Sequence, residues 1–248
     1  MEPVFRRGLL WTHLSQEESV QAHPNARSFI GSLLLLSKAW SVRLIAAHCL
    51  AALIWRSRLG PPTAGDALLV LGIALYWPFQ EWAAHAFLLH FKPREFSLPG
   101  GRTWRLDPLA GRVHRFHHRH PWRLHPIFLP WPIIIVLVPI HVALWYLLTP
   151  TLSLACTGIV VFGSAAIFYE WLHLIAHLPW VPPIAWLRHV QQHHRAHHFK
   201  NERYWHAFSV PALDRWLGTG PDPRDTPRSE TCRTLGVDEV FPDSLPSR

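Results

Sequence analysis

Histidine is the residue type through which this chain would do chemistry. Ten of its 19 histidines fall into four clusters: His85 and His90; His114, His117 and His118; His173 and His177; His194, His197 and His198. The second and fourth read His-x-x-His-His, and the third reads His-x-x-x-His. On a helix, residues i and i+4 lie about 40° apart, and i and i+3 about 60° apart on the other side. Each of these three clusters therefore shares one helix face. His85 and His90 lie about 140° apart on an ideal helix. They converge only if the helix end is distorted or a metal sits over the terminus. Neutral imidazole is a ligand for Fe, Zn, Cu and Ni. Ten such ligands exceed what one ion can use, which implies two metals. Zinc is redox-inert, whereas iron supports oxygen chemistry.

Two carboxylates stand beside the clusters. Glu81 lies one turn before His85, and Glu170 lies three residues before His173. An ionisable side chain inside an apolar segment is a candidate for function. A carboxylate there can take the second N–H of a ligating histidine, or bind metal itself; the bland reading is a salt bridge to an arginine. His189 and His193 adjoin the fourth cluster and are candidates for supporting contacts. His13, His23, His48, His120, His125, His141 and His206 read as surface, interfacial or packing residues.

The elements that position these clusters are apolar. Residues 124–169 contain no Asp, Glu, Lys or Arg. A transmembrane helix needs about 20 residues, and Pro150 breaks the run into spans at 126–148 and 151–178. A third span reads over 67–91, interrupted only by Glu81. A fourth, weaker one covers 39–55 and carries Arg43. Residues 28–37 are apolar but too short to span alone; they extend the first span or lie at the interface. The aromatic residues Trp77, Phe79, Trp82, Phe87, Phe168 and Trp171 read as an aromatic belt. The loop 91–125 holds eight basic and two acidic residues, which places it in the cytoplasm by the positive-inside rule. With four spans, both termini and all four clusters then share that side.

Composition agrees. The chain of 248 residues is 49% hydrophobic and only 16% charged, against about 25% charged in a soluble domain. The net charge of +8 admits a nucleic-acid or anionic-membrane partner. Nucleic acid is disfavoured because the arginines sit on a short, membrane-bounded loop. Cys49, Cys156 and Cys232 have no metal-like spacing. Residues 1–27 read as a polar segment in which no cleavable leader is evident, 28–219 as the membrane-embedded domain that carries the clusters, and 220–248 as a loosely ordered tail.

Four motifs in order carry a resemblance: Glu81-Trp-x-x-His85-x-x-x-x-His90, His114-x-x-His117-His118, Glu170-Trp-x-His173-x-x-x-His177 and His194-x-x-His197-His198-Phe-Lys-Asn. Phe208-Ser-Val-Pro-x-x-Asp214-x-Trp-Leu-Gly218-Thr219 resembles a closing motif of the same family. Over about 67–219 the chain resembles the fatty acid hydroxylase and sterol desaturase superfamily. That resemblance implies an all-α integral membrane protein of about four transmembrane helices with a cytoplasmic, histidine-rich di-metal cap. It implies ten histidine ligands, two iron ions (zinc can replace them in purified protein) and O2 as co-substrate. The reaction implied is hydroxylation of a lipid C–H bond, on a fatty acyl, sphingoid, sterol or isoprenoid chain. The fused cytochrome-b5-like domain of some eukaryotic relatives is not in this sequence, so a separate electron donor of ferredoxin, cytochrome b5 or reductase type is expected. It could dock on the basic loop, although anionic-lipid contact explains that loop as well. Two other readings stand beside hydroxylation: a lipid desaturase on the same site, and a histidine-rich metal-binding or transport protein. The last is disfavoured because the clusters sit at span ends rather than mid-membrane.

Overall fold

The computed structural model describes residues 19–237. His13 and most of the polar segment 1–27 lie outside the described residues, as do the last eleven residues of the expected tail, 238–248.

The polarity of the bundle is inverted relative to a water-soluble protein. Leu68, Leu71, Leu75, Ile135, Ile140 and Leu147 are exposed, while Arg56, Asp66, Glu81 and Glu170 are buried. Such an arrangement suits lipid on the outside and satisfied polar groups within. The long helices are α2 (Trp40–Arg56), α3 (Ala64–Ala83), α5 (Trp131–Leu148) and α6 (Leu152–His177), with the short α1 (Phe29–Leu36) before them and α4 (Leu109–Arg119) between α3 and α5. Helix α6 is central and packs on α2, α3 and α5. Small residues make the close approach possible. A Cβ on Gly158 would run into the Trp145 ring, and one on Gly163 into Cys49 Sγ.

Three helices are long and apolar enough to cross a membrane: Ala64–Leu89, His125–Leu148 and Leu152–His177. The fourth expected span falls on α2, which has 17 residues and is not among them. At 1.5 Å per residue it is about 26 Å long, short of a core about 30 Å thick. The segment 28–37 does not extend it, because the chain breaks between α1 and α2 and α1 stands as its own helix.

A buried polar latch joins three helices at the end far from the histidines. Arg56 pairs with Asp66 at 2.9 Å, Thr157 Oγ1 donates to Asp66 Oδ1 at 2.6 Å, and Asp66 closes a capping box with Thr63. Midway along, Trp145 Nε1 donates to His141 Nε2 at 2.6 Å, and His141 Nδ1 meets His48 Nε2 at 3.3 Å, linking α5 to α2. His48 and His141 are thus packing residues.

The all-α expectation needs one correction. Within the basic loop, β1 (Arg94–Leu98) pairs antiparallel with β2 (Arg102–Leu106). Phe96 lies opposite Trp104, and Gly100 and Gly101, at φ 84° and 74°, reverse the chain. Cross-strand aromatic pairs and positive-φ glycines are what a hairpin requires.

Beyond the bundle, α7 (Ala185–Phe199) and the five-residue α8 (Ala212–Trp216) complete the cap with α4. Loose order is expected over 220–248, yet residues 220–237 form turns held to the cap. Trp205 Nε1 donates to the Pro221 carbonyl at 3.0 Å, Ser229 N to Lys200 O at 2.7 Å, and Cys232 and Leu235 are buried. Composition missed this because the anchoring is carried by backbone groups and a few apolar side chains.

Candidate metal centre

The ten cluster histidines are brought together by four helical segments, and each His-x-x-His-His motif divides between two sets. On α4, His114 and His118 turn one way and His117 the other. On α7 the division is reversed, with His194 and His198 on one side and His197 on the other. These are the i/i+4 pair and the i+3 residue of a helix. The pair His173 and His177 at the end of α6 joins His117, His194 and His198 in the first set. His85 and His90 join His114 and His197 in the second, and His118 Nε2 lies 3.2 Å from Nε2 of both His114 and His197. The convergence of His85 and His90 comes from the helix end. After α3 the chain widens into a π turn, Ala84–Leu89, and His90 N bonds back to His85 O at 3.3 Å. Bonding five residues apart brings the two rings to 5.1 Å.

The geometry is that of ligands without a proton between them. In the first set His117 Nε2 is 3.1 Å from His173 Nε2 and 3.0 Å from His177 Nε2, and His177 Nε2 is 3.0 Å from His194 Nε2. In the second, His85, His90, His114 and His197 form a chain of Nε2 contacts of 3.1–3.2 Å. Backbone carbonyls then fix the tautomers. His85 Nδ1 donates to His206 O at 2.7 Å, His118 Nδ1 to Cys232 O at 2.8 Å and His197 Nδ1 to Tyr204 O at 2.7 Å. A carbonyl only accepts, so each Nδ1 carries the hydrogen and each Nε2 is a bare lone pair. His118 and His197 point two such lone pairs at each other across 3.2 Å. A cation between them resolves the repulsion. Nitrogens about 2.1 Å from one ion and about 90° apart would lie about 3.0 Å from each other. The residues therefore fit two metal ions, and both sets could hold one.

Protonation is not the alternative resolution. Burial pushes the imidazoles of His90, His114, His117, His194, His197 and His198 well below the usual histidine range, and neighbouring imidazoles add to the effect. Burial lowers His118 to about 4. Neutral imidazole is the metal-binding form.

Neither carboxylate joins the sets. Glu81 is fully used elsewhere: Oε1 accepts from Phe208 N at 2.7 Å and Ser209 N at 2.8 Å, and Oε2 accepts from Trp77 Nε1 at 3.0 Å. It touches no histidine N–H, so the expected carboxylate–histidine contact is replaced by a brace on the loop after α7. Glu170 Oε1 accepts from Leu129 N at 3.2 Å, and its buried Oε2 has no partner among the described residues. Glu170 lines a cavity with Leu89, Val113, Phe128, Tyr169 and, from the two sets, His114 and His173. Neither carboxylate forms a salt bridge among the described residues.

Several supporting residues escape the motif reading. Tyr204, His206 and Cys232 act through backbone carbonyls, which no side-chain pattern reveals. Trp205, between the first two, sits at φ 61°, a left-handed turn that is uncommon for a residue with a Cβ. Asp214 holds this loop from below, accepting from His206 N, Ala207 N, Thr219, Trp82 and His193 Nε2, the last at 2.7 Å. Burial raises the Asp214 carboxyl, but the bonds from His193 and Thr219 outweigh it and hold the group below the usual range. His193 thus supports the site through Asp214, and His189 lies against His193 with ring centroids 5.7 Å apart.

Comparisons with known proteins point one way. The fatty acid hydroxylase family model matches residues 70–219. The chain is 28% identical over 155 residues to a dihydroceramide fatty acyl 2-hydroxylase of Arabidopsis thaliana, covering 62% of this chain and 61% of that one. It is 29% identical over 168 residues to the fatty acid 2-hydroxylase of Mus musculus, covering 66% of this chain and 42% of that one. The matched regions thus span less than two thirds of these relatives. The fold resembles a solved structure of full-length Scs7p, of which only the hydroxylase domain is visible. The TM-score is 0.57 at 23% identity, covering 76% of this chain and 66% of the other.

Proposed function

The chain belongs to the fatty acid hydroxylase family, and from that premise we propose that it is an O2-dependent lipid hydroxylase whose ten histidines hold two iron ions. The observation that carries the reading is the pair of bare lone pairs on His118 and His197, 3.2 Å apart, with tautomers fixed by Cys232 and Tyr204. His117, His173, His177, His194 and His198 would hold one ion, and His85, His90, His114 and His197, with His118 beside them, the other. A pair of iron ions, when bound, supplies O2 binding and the electron transfer that C–H hydroxylation requires. The balance is one C–H bond, O2, two electrons and two protons giving one alcohol and one water. The electrons come from a separate donor of ferredoxin, cytochrome b5 or reductase type.

The protein's part is to hold the chain and keep water away. Leu89, Val113, Phe128 and Tyr169 give a small cavity between His114 and His173 apolar walls, which would face the reacting end of a substrate chain. Glu170 Oε2 is the polar exception, a buried carboxyl oxygen with no partner among the described residues, which could meet a hydroxyl or amide on the substrate. The likeness to a dihydroceramide fatty acyl 2-hydroxylase and a fatty acid 2-hydroxylase supports a fatty acyl group as the substrate class, with carbon 2 the first position to examine.

Four spans, α2 included, would put both tight connections on one side and the cap on the other. By the positive-inside rule the basic loop 91–125 favours a cytoplasmic cap, and with four spans both termini would share that side.

The test is a turnover of iron-loaded, detergent-purified protein with a chemical reductant, ¹⁸O2 and acyl lipids. An acyl product carrying one ¹⁸O, absent from His117→Ala, is expected. Two bound metals with no O2-dependent product would sink the enzymatic reading and favour metal binding. An alkene without ¹⁸O would establish desaturation instead.

A further inference from the structure

We propose that the β1–β2 hairpin is a membrane-surface finger, which lays one face into the headgroup layer of an anionic bilayer. The pairing register sorts its side chains. Phe96 opposite Trp104, Leu98 opposite Arg102 and Arg94 opposite Leu106 share one face, while Glu95, Ser97, Thr103 and Arg105 share the other. On the first face Phe96, Leu98 and Trp104 are 42%, 44% and 52% exposed. An isolated two-stranded hairpin is marginal in water and needs a surface to pack on. Every residue of the two strands is exposed except Leu106, which is half-buried, so the described residues do not supply that surface.

Continuity and charge identify the surface as lipid. Four residues, 90–93, separate the apolar segment Ala64–Leu89 from β1. Four extended residues reach at most about 14 Å, and the headgroup layer on each side is about 5–8 Å deep. The hairpin therefore starts within reach of that layer. Arg94 and Arg102 stand at the two margins of the apolar face, with Lys92 two residues before the first. This is the arrangement of an interfacial segment, with aromatic and aliphatic residues inserted and long basic stems reaching up to phosphates. An anionic leaflet attracts such a cluster, as a neutral one does not. The inference requires Ala64–Leu89 to cross the bilayer but is independent of the reaction catalysed.

The test uses the whole protein reconstituted in phosphatidylcholine vesicles with and without phosphatidylserine. Cys49, Cys156 and Cys232 are buried, so a cysteine introduced by Leu98→Cys or Ser97→Cys takes a bimane label at the surface. A nitroxide-labelled lipid should quench the label at position 98 several-fold more than at 97, and more strongly with phosphatidylserine. Aqueous iodide should show the opposite order. Thr103→Cys should follow Ser97→Cys. Iodide quenching at both 97 and 98 with no lipid quenching at either would overturn the proposal. So would shielding of position 98 only on addition of an acidic redox protein, which would make the hairpin a donor-docking surface. Metal content of each variant shows that it is folded, and no readout depends on turnover.

Discussion

The two histidine sets contain five imidazoles each but are built differently. The first, His117, His173, His177, His194 and His198, rests on ordinary α-helical spacing in α4, α6 and α7. The second, His85, His90, His114, His118 and His197, needs a π turn and three backbone carbonyls from the segment after α7. The first is held between the end of α6 and the cap helices α4 and α7; the second is closed by loops. Rigid helices position ligands at no further cost, whereas the loop-built set depends on Glu81 and Asp214 to hold the segment 204–209. The two metals should therefore differ in how firmly they are bound, the second leaving first.

The largest effect tests whether the sets are independent. His117→Ala should lower metal content from two ions per chain towards one and abolish hydroxylation. His197→Ala should do the same from the other side. A mutant that lost both metals would show a single coupled centre instead, and the comparison would fail. Metal analysis of the purified proteins decides it.

Next in size is Glu81→Ala. It strips the acceptor from Phe208 N and Ser209 N and frees the loop that presents the His206 carbonyl to His85. Outer contacts of this kind are worth about 10–100-fold in metal affinity. The loss should fall on the second set alone, seen as faster release of one of two metals to a chelator. Glu81→Gln keeps an acceptor oxygen and should retain most of the affinity. Equal weakening of both metals by Glu81→Ala would contradict the division.

Sequence reading reached the first set better than the second, for the same physical reason. His-x-x-x-His and His-x-x-His-His are helical repeats, so their shared faces follow from 100° per residue. The splitting of each triplet between two sets does not, because it depends on how α4 and α7 cross. For His85 and His90 the need for a distorted helix end was legible, though not its form. Tyr204, His206 and Cys232 contribute carbonyls, and a carbonyl leaves no trace in residue identity. Arg115 shows the opposite failure. Counted as loop charge, it is buried, pairing with both oxygens of Asp107 at 2.7 and 2.8 Å and donating to Phe91 O. The long apolar runs were legible, and α2, Trp40–Arg56, matches the expected 39–55 within a residue at each end; at 17 residues the run was itself short for a span. The hairpin was hidden by the arginines around it.

Acid should affect the metal-free protein before the loaded one. His118 titrates at about 4 when folded and at about 6.5 when unfolded. Between these values the unfolded chain binds more protons, so stability falls as pH drops from about 6.5 towards 4 and is flat, for this group, above 6.5. The other lowered histidines outside the spans act in the same direction. Bound metal competes with protons and should shift the loss to lower pH. Denaturation midpoints of the apo and loaded forms, measured across that range, check the sign; an apo curve that is level from pH 6.5 to 4 would contradict a neutral, buried site.

The smallest expected effect sharpens the boundary of the second set. The His206 ring lies 5.3 Å from His85, 5.2 Å from His90 and 5.2 Å from His197, centroid to centroid. Its Nε2 donates to Arg203 O at 3.1 Å, which leaves Nδ1 bare and buried without a hydrogen-bond partner among the described residues. The ring could therefore be an eleventh ligand, or only packing beside a carbonyl that matters. His206→Ala separates the two, because it removes the ring and keeps the backbone oxygen that orients His85. If the carbonyl is the contribution, metal affinity at the second set should fall by less than about tenfold, the low end for an outer contact. The Trp205 turn, held by its own bonds to Thr219 O and Pro221 O, would keep the oxygen in place. Loss of one whole metal, matching His197→Ala, would make His206 a ligand and the second set the larger of the two.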